Sequence, residues 1–219
     1  MSFIKVENIY KSFGSTQVLN GISFEVNQGE QVALQGMSGS GKSTLLYILG
    51  GLDTANSGEI EIDNSKIENL TDEQLSVFRN RSVGFVFQFH FLLPSMNCLD
   101  NMLLPAKIGG LKVKEVKNRI LDLAKRLGVD HCLKKFPFEI SGGEQQRINI
   151  IRAISLKPKI LLCDEPTGNL DSKNSQKVVD LLKEVSAERN VTLIVVTHGA
   201  AVASQFSRKI TIEDGRIIG

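Results

Sequence analysis

Apolar and polar residues alternate with different periods along this chain, and each period predicts a different kind of element. Residues 59–63 alternate strictly between polar and apolar side chains, which is typical of a half-buried strand. Residues 3–6 and 22–26 are shorter β-like runs with turn-forming residues near them, so we predict an antiparallel β layer in the N-terminal part. From about residue 99 to 156 apolar residues recur at helical spacing, which predicts a block of helices.

Continuous apolar runs on both sides of this block predict buried strands. Residues 32–34 precede the block, while residues 160–163 and 192–197 follow it. A helix is expected between the last two runs, at residues 178–185, and a terminal hairpin at residues 210–218. Strands that alternate with helices favour a mostly parallel sheet, which binds its ligands at the carboxyl ends of its strands.

The length and composition are those of one α/β domain. The chain has 219 residues, of which 42% are hydrophobic, so it can bury a sizeable core. We predict a single domain over residues 1–219, with a catalytic core of residues 1–88 and 158–219 and a helical subdomain at about 89–157. The first residues lack an apolar leader, and no uncharged stretch reaches the ~18 residues that span a bilayer. We therefore expect neither a signal peptide nor a membrane-spanning helix.

Positive charge is concentrated in one part of the chain. The net charge is +2, but residues 107–159 hold thirteen Lys and Arg against five Asp and Glu, a local charge of +8 that leaves −6 for the remainder. Two interpretations stay open. The segment is either a solvated helical surface or a face turned toward an acidic partner or an anionic membrane leaflet.

The cysteines and two of the histidines stand outside any motif. Cys98, Cys132 and Cys163 are far apart and form no Cys-x-x-Cys pair, so we expect neither a disulfide framework nor a zinc site. We interpret these residues, together with His90 and His131, as structural.

A glycine-rich segment at residues 36–43, Gly-Met-Ser-Gly-Ser-Gly-Lys-Ser, lies between a predicted strand and a predicted helix. Glycine lets successive backbone N–H groups converge on phosphate oxygens, and the N-terminus of the following helix has a partial positive charge. Lys42 adds a point charge for the β- and γ-phosphates, and the Ser43 hydroxyl is a ligand for Mg²⁺. The segment therefore predicts a phosphate-binding loop for a nucleoside triphosphate.

Two adjacent acids, Asp164 and Glu165, follow the buried strand that begins at residue 160. Because neighbouring residues of a strand point to opposite faces, their side chains are expected to diverge. One carboxylate can then hold Mg²⁺ while the other polarises or deprotonates an attacking water.

A second glycine-containing segment, residues 141–145 with the sequence Ser-Gly-Gly-Glu-Gln, is typical of a serine-capped helix N-terminus. Together with residues 36–43 and the paired acids, it resembles the nucleotide-binding subunit of ATP-binding cassette (ABC) transporters, and the resemblance runs from end to end. The family signature usually has Gln where this chain has Glu144. The resemblance implies an α/β fold of the P-loop NTPase (RecA-like) type: a mostly parallel sheet core, an N-terminal antiparallel β layer and an inserted α-helical subdomain.

The resemblance also implies roles for single residues. Phe13 matches the aromatic residue that stacks on adenine, Gln88 the glutamine that reaches Mg²⁺ and water, and His198 the histidine at the γ-phosphate. Asp171 matches a loop residue that crosses between two subunits. The implied catalytic residues are Glu165, His198, Gln88 and Lys42, and the implied Mg²⁺ ligands are Ser43, Gln88 and Asp164. The residues expected to contact ATP are Phe13, Gly36, Ser38, Gly39, Ser40, Gly41, Lys42, Ser43, Thr44, Ser141, Gly142, Gly143, Glu144 and Asp171.

At the level of the assembly, the resemblance implies an ATP-hydrolysing subunit. Two copies would pair around ATP and drive integral membrane permease subunits, from the cytoplasmic side of the inner membrane. Residues 87–94, Phe-Gln-Phe-His-Phe-Leu-Leu-Pro, are most similar to the ATPases of lipoprotein release. A macrolide-efflux or other mechanotransmission system is the alternative, and no residue of this chain identifies the transported substrate.

Three other protein classes fit the chain less well. A DNA-repair or cohesin-type ABC ATPase would need a long coiled coil between the phosphate loop and the signature, and a translation factor would need two cassettes. A kinase or GTPase would leave the signature unexplained. We therefore expect no nucleic-acid partner.

Overall fold

The computed structural model describes residues 2–168, 170 and 172–218, and its strands form two sheets. The strands of this part are β1 (Ser2–Phe13), β2 (Thr16–Asn27), β3 (Gln31–Gln35), β4 (Ser57–Ile62), β5 (Ser65–Lys66), β6 (Val83–Val86), β7 (Ile160–Asp164), β8 (Thr192–Thr197), β9 (Arg208–Glu213) and β10 (Arg216–Ile217). The first sheet is the predicted antiparallel layer, in the order β2-β1-β4-β5. Shifts of register interrupt the β1–β2 pairing, which explains why the sequence pattern predicted only short runs there.

The second sheet is mostly parallel, as predicted, in the order β10-β9-β3-β8-β7-β6. The pairs β9–β3, β3–β8, β8–β7 and β7–β6 are all parallel. Only β10 is antiparallel to its neighbour, and it closes the predicted terminal hairpin. Asp214 and Gly215 form the turn with φ values of 45° and 72°, a conformation that asparagine, aspartate and glycine tolerate best.

Side-chain alternation in the parallel sheet divides the hydrophobic core between the two faces of the sheet. In β7, Ile160 and Leu162 join a cluster with the antiparallel layer and the first helix, whereas Leu161 and Cys163 join a cluster with the later helices. All four side chains are fully buried. Strands buried on both faces read as continuous apolar runs, which is the pattern that predicted β7.

The helices of the described part are α1 (Lys42–Leu49), α2 (Asp72–Arg81), α3 (Cys98–Ile108), α4 (Val113–Arg126), α5 (Gly142–Ile154), α6 (Ser172–Arg189) and α7 (Ala200–Ala203). The predicted helical block corresponds to α3, α4 and α5. In α4, the buried residues Val116, Ile120 and Leu123 face the core at helical spacing, as the sequence pattern indicated. The division of the chain at residues 88 and 158 stays a prediction.

Helix α2 was not predicted, and α6 is longer than the predicted 178–185. No residue of α2 is fully buried, and only Leu75 and Phe78 pack against the core, which is too short an apolar stripe to predict the helix from the sequence pattern. It begins with a reciprocal cap instead: the Thr71 hydroxyl accepts from the Gln74 backbone N–H, and the Gln74 side chain accepts from the Thr71 backbone N–H.

The structure locates the three cysteines and the basic segment, while both interpretations of that segment stay predictions. Cys98, Cys132 and Cys163 are free and buried. Several cations of residues 107–159 pair with acids outside that segment, for example Arg126 with Glu184 and Glu188. These pairs offset part of the local positive charge. In the described part of the chain, no helix is long and apolar enough to cross a membrane.

Candidate active site

The phosphate loop joins β3 to α1, in the strand-to-helix context that the sequence predicts. Two of its glycines allow close approaches that no other residue would permit. Gly41 has φ 99°, and a Cβ there would lie 2.8 Å from the carbonyl oxygen of Val18. Gly36 has φ 153°, and a Cβ there would lie 2.1 Å from the carbonyl oxygen of Ile212. The loop is thereby pressed against β2 and β9, which fixes its path.

The Lys42 side chain forms hydrogen bonds within the phosphate loop. Its ammonium donates to the carbonyl oxygen of Met37 at 2.6 Å and to the Ser40 hydroxyl at 3.3 Å. Burial lowers the pKa of Lys42, and the nearby carboxylates of Glu165 and Asp164 oppose that shift. The ammonium therefore lies at the base of the loop, on the side of the two acids.

Asp164 ends β7 and turns toward α1. Its Oδ1 accepts from the Ser43 hydroxyl at 2.8 Å, and its Oδ2 accepts from the Tyr47 hydroxyl at 2.7 Å. Burial and the contact with Asp164 raise the pKa of Tyr47 to about 12, so the phenol stays a donor at neutral pH. Sequence reasoning missed Tyr47, although it lies one helical turn after Ser43 and so on the same face of α1.

Glu165 turns to the other side, and the predicted divergence of the two acids is confirmed. Its backbone has φ 46°, a left-handed conformation that is uncommon for glutamate. Its Oε1 accepts from the His198 backbone N–H at 2.8 Å and lies 2.7 Å from the His198 Nδ1. The Glu165 side chain is only 14% exposed, whereas that of His198 is 62% exposed. The Glu165 carboxylate is therefore recessed, whereas the His198 side chain lies at the surface.

These groups surround one cleft of about 880 Å³ at the carboxyl ends of the parallel strands. Its lining comes from four places: Phe13 of β1, the loop with the start of α1, Gln88 after β6, and the ends of β7 and β8. The predicted residues in that lining are Phe13, Ser38, Gly39, Gly41, Lys42, Ser43, Thr44, Gln88, Asp164, Glu165 and His198. Val18 and Met37 also line the cleft and were not predicted, whereas the predicted contacts Gly36 and Ser40 are not among its lining residues.

Phe13 forms an aromatic wall at the edge of this cleft. Its side chain is 53% exposed. The Lys11 ammonium lies 4.7 Å from the ring centroid and is held there by Asp53 at 2.6 Å. A planar aromatic ligand could stack on the remaining face, with the cation behind the ring.

The signature segment, residues 141–145, is not part of the cleft lining. Ser141 caps α5: its hydroxyl accepts from the Glu144 backbone N–H at 3.4 Å and donates to Glu144 Oε2 at 2.6 Å. The Ser141 backbone N–H also donates to Glu144 Oε2, at 2.8 Å, and the two hydrogen bonds that this carboxylate accepts from Ser141 lower the pKa of Glu144 to about 2. Ser141 and Gly142 are exposed, and none of the residues from Ser141 to Glu144 is among the described residues that line the cleft. Asp171, the remaining predicted contact, lies outside the described residues.

The cleft residues fit a hard divalent cation such as Mg²⁺. The Ser43 hydroxyl and the Asp164 carboxylate are in contact, and Gln88 lines the same cleft, so the donors are all oxygens. Among the described residues, no Lys or Arg forms an ion pair with Asp164. The carboxylate is therefore free to be balanced by a metal ion.

Comparison with known proteins agrees with this geometry. The profile of the family described as ABC transporter matches residues 19–168. The lipoprotein-releasing system ATP-binding protein LolD of Cytophaga hutchinsonii is 44% identical over 215 residues, which are 98% of each chain. LolD of Geobacter metallireducens is 45% identical over 221 residues, covering 99% of this chain and 98% of the relative.

A solved structure is also similar over nearly the whole chain. The dimeric post-hydrolysis structure of the ATP-binding cassette MJ0796, bound to ADP and Pi, matches with a TM-score of 0.89 at 37% identity. The match covers 99% of this chain and 97% of that chain. The sequence matches, the shared fold and the cleft built from loop and acids lead to one conclusion: this chain belongs to the ABC transporter family and is an ATPase of that family.

Proposed function

We propose that two copies of this chain form the ATP-hydrolysing motor of a membrane transporter. In that dimer each ATP is bound between the phosphate loop of one copy and the signature segment of the other. The observation that carries the proposal is the separation of two phosphate-binding features in one chain. The loop borders the cleft, but the exposed N-terminus of α5, with Ser141 as its cap, lies outside it.

The chain's own residues divide the work of binding in this proposal. Phe13 stacks on the base, and the loop N–H groups and Lys42 bind the phosphates. Ser43, Asp164 and Gln88 would hold Mg²⁺, which when bound neutralises charge on the phosphate oxygens. From the second copy, Ser141, Gly142 and Gly143 offer a hydroxyl and backbone N–H groups to the γ-phosphate, and Glu144 orders the serine.

Glu165 and His198 carry out the proton chemistry. The Oε1 oxygen of Glu165 is held by both donors of His198, which leaves Oε2 for the proton of the attacking water. Because Glu165 is recessed, it meets few bulk water molecules, and the exposed His198 can move toward the γ-phosphate. We propose that Asp171 lies at the contact between the two copies.

The substitution Glu165→Gln tests this proposal. The variant should bind ATP and form dimers, but its turnover should fall by about 10²–10⁴-fold, because the amide cannot accept the water proton. Light scattering after size exclusion measures the dimer, and phosphate release measures turnover. Glu25→Gln is a matched control, since Glu25 is an exposed residue of β2 remote from the cleft. Rapid hydrolysis by Glu165→Gln, or monomers at saturating ATP, would contradict the proposal.

A groove next to the cleft is the proposed contact with the membrane subunits. It has a volume of about 340 Å³, and Phe85 and Phe87 line it, the latter directly before Gln88 in the sequence. Ile108 at its edge is 70% exposed, and Arg79 and Arg152 add positive charge. These features suit a short helix of a membrane subunit that carries apolar and acidic side chains. Closure of the cleft around Gln88 would then move that helix.

The cargo that we propose is lipoproteins extracted from the inner membrane. Two relatives named for lipoprotein release cover 98% or more of this chain at 44% and 45% identity. The chain would lie on the cytoplasmic face of that membrane, held by permease subunits. A macrolide or peptide efflux system is the second candidate, although residues 87–94 are most similar to the ATPases of lipoprotein release.

Co-purification from detergent-solubilised membranes distinguishes these two systems. We expect membrane subunits whose periplasmic part binds lipoproteins, and we expect Ile108→Glu to weaken their capture because it charges the edge of the groove. Phe138→Glu is the control, since Phe138 is 75% exposed and does not line that groove. Capture of a drug- or peptide-efflux subunit would replace the lipoprotein assignment, whereas capture of nucleic acid or ribosomes would overturn the transporter proposal.

A further inference from the structure

Three potential metal ligands meet beside the signature segment, away from the nucleotide cleft. The Nε2 atom of His131 lies 2.8 Å from Glu144 Oε1 and 3.3 Å from Cys132 Sγ. The third side of the triangle, from Cys132 Sγ to Glu144 Oε1, is 3.5 Å. Three donors of three chemical types thus share one small volume, although their positions in the sequence gave no sign of it.

The triangle has nearly the size of one face of a tetrahedral zinc site. With Zn–S near 2.3 Å and Zn–N or Zn–O near 2.1 Å, tetrahedral geometry separates sulfur from nitrogen or oxygen by about 3.6 Å, and nitrogen from oxygen by about 3.4 Å. The distance from Cys132 to Glu144 already agrees with these values. The distances from His131 to Cys132 and to Glu144 must lengthen by about 0.3 Å and about 0.6 Å, and rotation of the exposed histidine side chain can provide both.

The fold holds the three donors in place from two elements. His131 and Cys132 belong to a one-turn 3-10 helix, Asp130–Cys132, and Glu144 lies in the first turn of α5. The Cys98 backbone N–H donates to the Lys135 carbonyl at 2.8 Å, which ties the segment after this turn to the start of α3. The donors are therefore attached to the packed helical core and not to a free loop.

Access and charge also favour a cation at this point. Cys132 is fully buried and Glu144 is 18% exposed in its side chain, but the His131 side chain is 55% exposed and forms the solvent side of the cluster. Among the described residues, the ion pair of Glu144 is with His131, and no Lys or Arg neutralises the carboxylate. A soft thiol, an imidazole and a carboxylate together form a donor set that binds zinc in preference to Mg²⁺ or Ca²⁺.

We propose that His131, Cys132 and Glu144 form a binding site for one zinc-class divalent cation per chain, with water as the fourth ligand. On binding, the Cys132 S–H bond is replaced by a Zn–S bond and that proton leaves to solvent. The imidazole proton that His131 Nε2 directs at Glu144 moves to Nδ1 through solvent, so that Nε2 binds the metal with its lone pair. Burial raises the pKa of Cys132 to about 11, so the thiol proton is still present at neutral pH and its release accompanies metal binding. Glu144 is already ionised and gives up no proton.

The site shares a side chain with the signature segment. Glu144 Oε1 belongs to the cluster, while Glu144 Oε2 accepts from the Ser141 hydroxyl at 2.6 Å. A metal on Oε1 restrains the carboxylate and, through it, the orientation of Ser141. Metal occupancy is thereby connected to the part of the chain that the proposed function assigns to ATP of the second copy, but metal binding itself does not depend on that assignment.

Titration of the full-length, reduced, chelator-treated chain with Co²⁺ tests the site without nucleotide. We expect one Co²⁺ per chain with a thiolate-to-cobalt absorption band in the near ultraviolet, and we expect Zn²⁺ to displace it. Cys132→Ser should abolish the band, and His131→Asn should weaken binding by at least about tenfold. Cys98→Ser is the matched control: it removes a second buried thiol of the helical core that does not belong to the cluster.

X-ray absorption at the zinc edge of the wild-type protein provides a measurement that needs no variant. We expect a first shell of one sulfur and three nitrogen or oxygen atoms. A shell with two sulfurs or none would overturn the assignment, as would binding that survives both Cys132→Ser and His131→Asn, or the absence of Co²⁺ and Zn²⁺ binding. None of these outcomes affects the proposed dimer, because that proposal is tested through Glu165.

Discussion

At the scale of residues, Asp164 and Glu165 are neighbours that face different partners. Asp164, still in the strand, reaches Ser43 and Tyr47 of α1, whereas Glu165 has left the strand and turns to His198 after β8. The left-handed backbone at Glu165 is what re-aims the second carboxylate. A metal ligand and a proton acceptor can therefore lie side by side without competing for the same cation.

Tyr47→Phe tests whether Tyr47 positions the metal-binding carboxylate. The variant keeps the ring but removes a donor to a charged oxygen, so we expect the free energy of unfolding to fall by roughly 1–2 kcal/mol. We also expect half-maximal ATPase activity to require more Mg²⁺. Urea unfolding and a Mg²⁺ titration measure the two effects. Tyr10→Phe, which changes the other tyrosine, should do neither; equal effects of both substitutions would remove Tyr47 from this role.

The residue-scale prediction from sequence succeeded where chemistry and local spacing suffice. Lys42 and Ser43 follow their glycines directly, so their approximate positions follow from the motif. The divergence of the two acids was predicted from strand alternation, but in the structure Glu165 lies just after β7 and its left-handed backbone directs the carboxylate. Tyr47 was missed because a tyrosine in an apolar helix looks like a core residue. The cluster of His131 with Glu144 was missed because only the packing of a short turn on α5 brings these positions together.

At the scale of elements, the parts that were predicted are those that bury a regular apolar pattern. The buried run of β7 and the periodic face of α4 belong to this group. Helix α2 does not, because it buries no residue and depends on its cap and on contacts of its partly exposed side chains. Such a helix can be recognised only from the Thr71-x-x-Gln74 spacing, which is a weaker signal than an apolar stripe.

Thr71→Ala tests how far α2 depends on this cap. The substitution removes the acceptor of the Gln74 N–H, and we expect the free energy of unfolding to fall by about 1 kcal/mol, within the usual 0.5–2 kcal/mol for caps. Chemical denaturation is the measurement. Ser76→Ala, inside the same helix, should be neutral or slightly stabilising because alanine is the better helix former. A loss of the same size for both would mean that the cap has no special role.

At the scale of the whole molecule, the parallel sheet separates two hydrophobic clusters, and the helical block belongs to only one of them. That block, with α5 and the signature segment, shares its cluster with α6 and one face of β7 and β8. The cleft lies at the carboxyl ends of the same strands, between that cluster and the antiparallel layer. The mostly parallel character of the sheet was predictable from the succession of strands and helices, but the strand order and the side of the sheet that each helix covers were not.

The position of Ser141 outside its own cleft has a consequence for enzyme kinetics. If each active unit requires two chains, the rate in dilute solution grows with the square of the protein concentration. The activity per chain then rises with protein concentration until nearly all chains are in dimers. We expect this second-order regime in steady-state ATPase assays over a wide protein range at fixed ATP. A tandem fusion of two copies should give a constant activity per chain over the same range. If the unfused chain instead had the same activity per chain at every dilution, the rate would be first order in protein, and a single chain would suffice for hydrolysis.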